Sequence, residues 1–239
     1  MQPQLSPFDG VLLVDKPPKL TSHDVVDRIR RHFGFKKVGH CGTLDPAATG
    51  LLIIVLERAT KLQAGLMSED KTYEGVMRLG IATDSQDADG KTLAEKPVPP
   101  LTEADLEAVL VKFRGDLQQI PPMVSAIKHE GTPLYKLARK GQTVVREPRL
   151  VHIYDLRMLK LDLPRVHFRV SCTKGTYVRT LCHDIGETIG CGAHLAELRR
   201  TKSGRFDVAD AKTLAELLTL RREQLQSFVI PILKLVKPV

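Results

Sequence analysis

Gly39-His40-Cys41-Gly42-Thr43-Leu44-Asp45-Pro46-Ala47-Ala48-Thr49-Gly50 runs without a break into Leu51-Leu52-Ile53-Ile54-Val55-Leu56. Glycine and proline crowd the first twelve residues too densely for a regular element, so they read as a loop. The six aliphatic residues that follow read as a buried strand. Asp45 therefore sits in a glycine-flanked loop that feeds directly into core. Such a setting can hold a carboxylate rigidly while leaving it open to a ligand. The pair Asp45-Pro46 equally suits an Asx-type turn, in which the side chain only caps its own backbone. The loop lacks the Gly-Lys-Ser/Thr ending and the Gly-x-Gly-x-x-Gly spacing of nucleotide-binding loops, so no nucleotide site is expected.

Working outward, residues 10–14 form a short apolar strand that Pro17 and Pro18 terminate. A helix follows, capped by Thr21 or Ser22, with Val25, Val26, Ile29 and Phe33 on one face and Gly34 as its stop. Residues 72–80 read as another strand. The pair Thr102 and Asp105 forms a capping box opening a helix to Phe113, with Gly115 just past its end. Residues 150–160 and 165–172 alternate apolar with polar side chains, as paired strands do. Lys174-Gly175-Thr176 turns into a helix that faces Val178, Leu181, Cys182 and Ile185 inward and stops at Gly190. A last amphipathic helix covers about residues 214–228. Between the strands, residues 121–149 mix Gly, Lys and Arg around one short helix near 134–140 and read as a protruding arm. The absence of a regular βαβ rhythm predicts an α+β fold with a mixed or antiparallel sheet, in a single domain over 1–239.

Of the 239 residues, 42% are hydrophobic and 27% charged, the balance of a soluble globular protein rather than a disordered or membrane-spanning one. The longest aliphatic run, six residues, is far short of the roughly 20 that a spanning helix needs. The first residues carry no basic segment leading into an apolar one, which places the protein in the cytoplasm. Four separated cysteines without a CxxC pair read as reduced thiols. The net charge of +8 favours a polyanionic partner. It is concentrated in residues 128–205, which hold 16 Lys and Arg against 7 Asp and Glu.

Three chemistries compete for these residues. His40 beside Cys41 suggests a thiol hydrolase, although adjacent side chains rarely point at one another. Cys182, His183 and Cys191 lack the paired spacing of zinc ligands, so no metal is expected. Arg179, in the first turn of the helix after Lys174-Gly175-Thr176, needs a carboxylate if it points inward, and Asp45 is the candidate partner. Such a pair would favour the ionised acid.

The string from Gly39 to Gly50 closely resembles the signature of the TruB family of tRNA pseudouridine synthases. The other blocks are similar in the same order: Asp15-Lys16-Pro17 with Thr21-Ser22, Lys71-Thr72-Tyr73-Glu74, Gly175-Thr176-Tyr177-Val178-Arg179, and Leu198-Arg199-Arg200-Thr201-Lys202-Ser203-Gly204. Residues 121–149 resemble the arm that the family inserts to grip RNA. The resemblance implies a pseudouridine-synthase fold, a central sheet flanked by helices, and isomerisation of uridine at position 55 in the T-loop of tRNA without any cofactor. It further implies that Asp45 is the nucleophile, Arg179 its ion-pair partner, and Tyr73 the residue that stacks on the base and takes a proton. His40 would hold the RNA loop, Leu198 would pack beneath the uracil, Tyr177 would line the substrate site, and Lys16 with Pro17 would support the Asp45 loop. Lys136, Arg139 and Lys140 of the arm would meet phosphates. The expected partner is the T stem-loop of tRNA, met by a monomer, with no membrane involved. Many family members continue into a PUA RNA-binding domain; only thirty-five residues follow Gly204, too few for a complete one. A non-catalytic RNA chaperone using the same basic surface is the competing reading from another class.

Overall fold

The computed structural model describes residues 5–125, 127–138 and 140–235. The chain opens with β1 (Gly10–Lys16), α1 (Ser22–Phe33), β2 (Val38–His40), β3 (Thr49–Leu56), α2 (Gln63–Met67) and β4 (Lys71–Leu79). Next come β5 (Ile81–Thr83), β6 (Thr92–Glu95), α3 (Glu103–Leu110), β7 (Gly115–Gln119), β8 (Lys128–His129), β9 (Thr132–Pro133) and α4 (Leu134–Ala138). It continues through β10 (Arg149–Asp162), β11 (Arg165–Cys172), α5 (Val178–Ile189) and β12 (Ala193–Ser203). The last elements are β13 (Phe206–Asp207), β14 (Lys212–Thr213), α6 (Leu214–Leu217), α7 (Arg222–Leu225) and β15 (Val229–Pro231). They form two compact units, residues 1–72 with 199–239 and residues 73–198.

In the first unit β3 is the central strand. β1 pairs with it antiparallel from Gly10 opposite Leu56 to Lys16 opposite Gly50. The other edge of β3 takes β2 antiparallel, His40 opposite Ile54, and then β12 parallel, Arg200 opposite Gly50. β14 runs parallel and β15 antiparallel to β1. The sheet is thus mixed, as expected. A strand paired on both edges and covered on both faces has no polar side to present, which is why residues 51–56 read as an unbroken aliphatic run; all six are fully buried. Leu51, Ile53 and Val55 pack with Val11, Leu13, Cys41, Ala59 and Phe206. α1 begins at a Thr21/Asp24 capping box, buries Val25, Val26, Ile29 and Phe33, and stops at Gly34.

Two expectations for this unit need correction. Gly39 and His40 belong to β2, and Thr49 and Gly50 to β3, so the irregular loop is residues 41–48. The helix expected over 214–228 is broken into α6, α7 and a 3-10 turn at Gln226–Phe228. Arg222 opens α7. Its guanidinium donates to the carbonyls of Phe33 and Gly34 at the end of α1 and lies over the Phe8 and Phe35 rings, 5.0 and 4.8 Å from their centroids. Arg221 adopts an extended conformation just before it, as the N-cap of α7, whereas α6 has already ended at Leu217.

In the second unit the sheet order is β4, β11, β10, β7. β10 is antiparallel to both β11 and β7. α3 has the expected Thr102/Asp105 capping box but ends at Leu110 and tightens into a 3-10 turn through Phe113. Gly115, expected as the helix stop, is the first residue of β7. α5 buries Val178, Leu181, Cys182 and Ile185 and stops at Gly190, as expected. In the arm, α4 is shorter than the stretch expected and follows the β8–β9 hairpin. Leu134 and Tyr135 donate their backbone N–H groups to the carbonyls of Ile127 (2.7 Å) and Ser125 (3.0 Å), which holds this helix against the arm's own base. Among the described residues no helix is long and apolar enough to cross a membrane.

Candidate active site

The Asp45 loop is fixed on both sides of its carboxylate. On the N-terminal side, the buried Ser22 hydroxyl accepts the Leu44 N–H at 2.8 Å and lies 3.1 Å from the Leu44 carbonyl, to which it donates. On the C-terminal side, the Pro46 carbonyl accepts the Lys19 N–H at 2.8 Å and the Lys16 ammonium at 3.2 Å. Ala48 N–H closes a turn onto the Asp45 carbonyl at 3.1 Å, with Pro46 in the position that favours it. Asp45 itself is half-buried. Backbone bonds, together with the buried Leu44 and Ala48 on either side, set where the side chain stands.

Lys16 is fully buried at the end of β1. Its ammonium also donates to the carbonyls of Pro17 (2.9 Å) and Leu20 (2.7 Å), so three loop carbonyls converge on one charge. Burial pulls its pKa down to about 8, against the opposing pull of the Asp45 and Asp24 charges. Lys16 thus bonds the Asp45 loop through the Pro46 carbonyl, and its charge and that of Asp45 act on each other.

His40 ends β2, half-buried, and its Nδ1 is sealed from solvent without a hydrogen-bond partner. Burial, helped by the charges of Arg200 and His23, lowers its pKa, so the ring is neutral at neutral pH. Cys41 is fully buried and its thiol is raised to about 11, again by burial. A nucleophilic cysteine needs the reverse shift, so the thiol hydrolase reading fails.

In the second unit Arg179 opens α5 with only 5% of its surface exposed. It has a carboxylate partner that sequence reasoning missed: Nη1 lies 3.0 Å from Asp87 Oδ2 and 3.2 Å from the Ser85 carbonyl. Nη2 donates to the Val124 carbonyl at 2.9 Å. Asp87 is held in turn by the Ser85 hydroxyl and the Asp89 N–H. Thr180 grips the same turn through Gln86 Oε1 at 2.8 Å, and Ala88 and Leu195 tie it to β12. The available signal was the acidic, glycine-closed stretch Asp84-Ser85-Gln86-Asp87-Ala88-Asp89-Gly90, which reads from sequence only as a turn.

Gln119 is a second missed residue. It is buried at the end of β7, and its carboxamide brackets Tyr177, donating to the Tyr177 carbonyl at 3.0 Å and accepting its N–H at 2.7 Å. That clamp fixes the residue immediately before α5, and hence the start of the helix bearing Arg179. Tyr73 lies buried in β4 and Leu198 half-buried in β12, a strand absent from the sequence expectations. Lys136 and Lys140 are exposed on the arm; Arg139 lies outside the described residues.

Comparison with known proteins bears on all of this. Residues 30–178 match the model of the TruB family pseudouridylate synthase N-terminal domain, and residues 179–237 that of the tRNA pseudouridylate synthase B C-terminal domain. The chain is 53% identical to the tRNA pseudouridine synthase B of Opitutus terrae, covering 94% of this chain and 93% of that protein. It is 47% identical to the tRNA pseudouridine synthase B of Syntrophotalea carbinolica, covering 94% of this chain and 74% of that one. Among solved structures, a Cbf5–Nop10–Gar1 complex holds a chain with TM-score 0.75 and 31% identity, matched over 95% of this chain and 61% of its own. An H/ACA ribonucleoprotein bound to a substrate RNA gives TM-score 0.71 and 29% identity over 94% of this chain and 59% of its own. The mixed α+β architecture, the signature loop and these matches agree: the chain belongs to the TruB family of pseudouridylate synthases, enzymes that isomerise uridine in RNA.

Proposed function

We propose that the substrate is tRNA, that the target is the uridine at position 55 of the T-loop, and that Asp45 is the nucleophile. The observation that carries this reading is the Asp45 loop: a half-buried carboxylate with backbone bonds on both flanks and the buried Lys16 charge acting on it. A catalytic carboxylate needs such fixed placement, because well-oriented groups gain much of their rate from positioning alone.

The target uridine is first rotated out of its stack, at a cost on the order of a few kcal/mol. Phosphate contacts by Lys136, Arg139 and Lys140 of the arm offset that cost. His40, neutral and poorly solvated, holds the opened loop; Tyr73 stacks on the extruded base, in keeping with how RNA loops are read. Arg179, whose guanidinium is oriented by Asp87, Ser85 and Val124, is the counter-ion that keeps Asp45 ionised. The bond from C1′ to N1 then breaks, the uracil turns above Leu198 and beside Tyr177, and C1′ bonds to C5. C5 gives up a proton, which Tyr73 takes, and N1 gains one, so the isomerisation balances without an external reagent.

A uridine-labelled T stem-loop transcript, incubated with the purified protein and digested, tests the assignment. The C-linked isomer should appear at position 55 alone. Product at other uridines, or only in RNAs lacking a T-loop, would overturn it.

A further inference from the structure

Arg200 is the largest side chain that the fold buries completely, at 1% exposure. It projects from β12, where its backbone stands opposite Gly50. Its Nε donates to the Leu51 carbonyl at 2.7 Å, and its Nη2 to the Gly42 carbonyl at 3.1 Å. Gly42 precedes Asp45 and Leu51 follows it. One guanidinium therefore ties together the two ends of the loop that carries the carboxylate.

Residue 200 stands close to both loop glycines, through its backbone at Gly50 and through the arginine side chain at Gly42. A Cβ on Gly50 would lie 2.3 Å from the Arg200 carbonyl oxygen and 2.8 Å from its nitrogen, and a Cβ on Gly42 would lie 3.3 Å from Arg200 Nη1. Both glycines have φ of +97°, which other residues seldom adopt. The neighbouring Arg199 is satisfied differently, by a two-pronged ion pair with Asp15 at 3.0 and 2.7 Å. Arg200 has no ion pair among the described residues. Burying a charge without a counter-charge is costly, and an apolar residue of similar volume would fill the space more cheaply. Lysine is no equal substitute: an ammonium serves carbonyls that converge on one point, as around Lys16, whereas the planar fork reaches the separate carbonyls of Leu51 and Gly42 in fixed directions.

We propose that Arg200 is a positioning residue of the reaction, which holds the Asp45 loop closed from β12 and so sets where the carboxylate meets the ribose. This rests on Asp45 being the nucleophile. The test compares Arg200→Lys, Arg200→Met and Asp45→Asn in the full chain, measuring single-turnover pseudouridine formation, tRNA affinity and thermal unfolding. Arg200→Lys should lose at least about tenfold in turnover with tRNA affinity within about threefold of the unaltered protein, and Arg200→Met should lose more. Full turnover in Arg200→Lys would overturn the proposal. So would turnover and affinity falling together in proportion to the folded fraction, which marks a merely structural side chain. If Arg200→Met does not fold, Arg200→Lys alone decides. Turnover retained by Asp45→Asn would instead remove the reading on which the proposal rests.

Discussion

Lys16 is the residue whose chemistry is most tightly constrained. Its ammonium serves three carbonyls in a place where burial lowers the pKa from 10.5 to about 8. The folded protein thus releases this proton before the unfolded chain does. The cost of holding the charge inside is fully present below pH 8 and disappears as pH rises from about 8 to 10.5, so this group makes stability increase over that window. Lys16→Met should lack that alkaline gain and, with the Pro17 and Leu20 carbonyls deprived of the ammonium while Pro46 keeps the Lys19 N–H, should lose about 1–3 kcal/mol at pH 7; urea unfolding at pH 7 and at pH 9.5 measures both effects. At this scale the sequence was informative where a residue's role depends on its neighbours in the chain. Asp45 stands out because glycines and a proline flank it, and Lys16 through the resemblance of its block to the family's. Asp87 does not, because its role comes from Arg179, more than ninety positions away. The requirement that a buried guanidinium find a carboxylate was legible; that Asp87 is one such partner was not.

At the scale of elements, the start of α5 is set by a side chain rather than by the helix's own cap. Tyr177 caps the helix with no side-chain hydrogen bond, and the Gln119 carboxamide takes over that function from β7. Gln119→Leu keeps the volume and removes both bonds. It should cost about 1–2 kcal/mol of stability and lower turnover several-fold with little change in tRNA affinity, because Arg179 is carried by the loosened turn; stopped-time assays beside binding titrations resolve the two. Elements whose pattern is local were readable from the sequence: β3 from its aliphatic run, α1 from its apolar face and Gly34 stop, α3 from its capping box, β10 and β11 from alternation. β7 and β12 were not. Their residues are polar on one side because each packs beside functional groups, and Gln119 and Arg200 sit at what a period-two pattern would assign to core. The break between α6 and α7 was hidden too, since the contacts of Arg222 with the end of α1 come from residues almost 190 positions away.

For the whole molecule the question is where the net charge acts. Part of the excess in residues 128–205 is offset by carboxylates outside that stretch: Arg169 pairs with Glu74 at 2.9 Å, Arg179 with Asp87 at 3.0 Å, Arg199 with Asp15 at 2.7 Å and Lys202 with Asp207 at 3.3 Å. Lys136, Lys140 and Arg149 are exposed and have no ion pair among the described residues. Replacing these three with Gln should weaken tRNA binding and reduce the slope of log affinity against log salt by about 2–3. Titrations from 50 to 300 mM salt check this, and an unchanged slope would place the phosphate contacts elsewhere. Composition predicted a polyanionic partner correctly in kind, but only the ion pairs show which charges remain for it. All of these arrangements matter to function through one carboxylate. The most direct measurement is single-turnover isomerisation of a T stem-loop by Asp45→Asn, which keeps shape and removes the anion. The account predicts that product formation falls about a thousandfold or more while RNA affinity stays within a few-fold; turnover near that of the unaltered protein would contradict it.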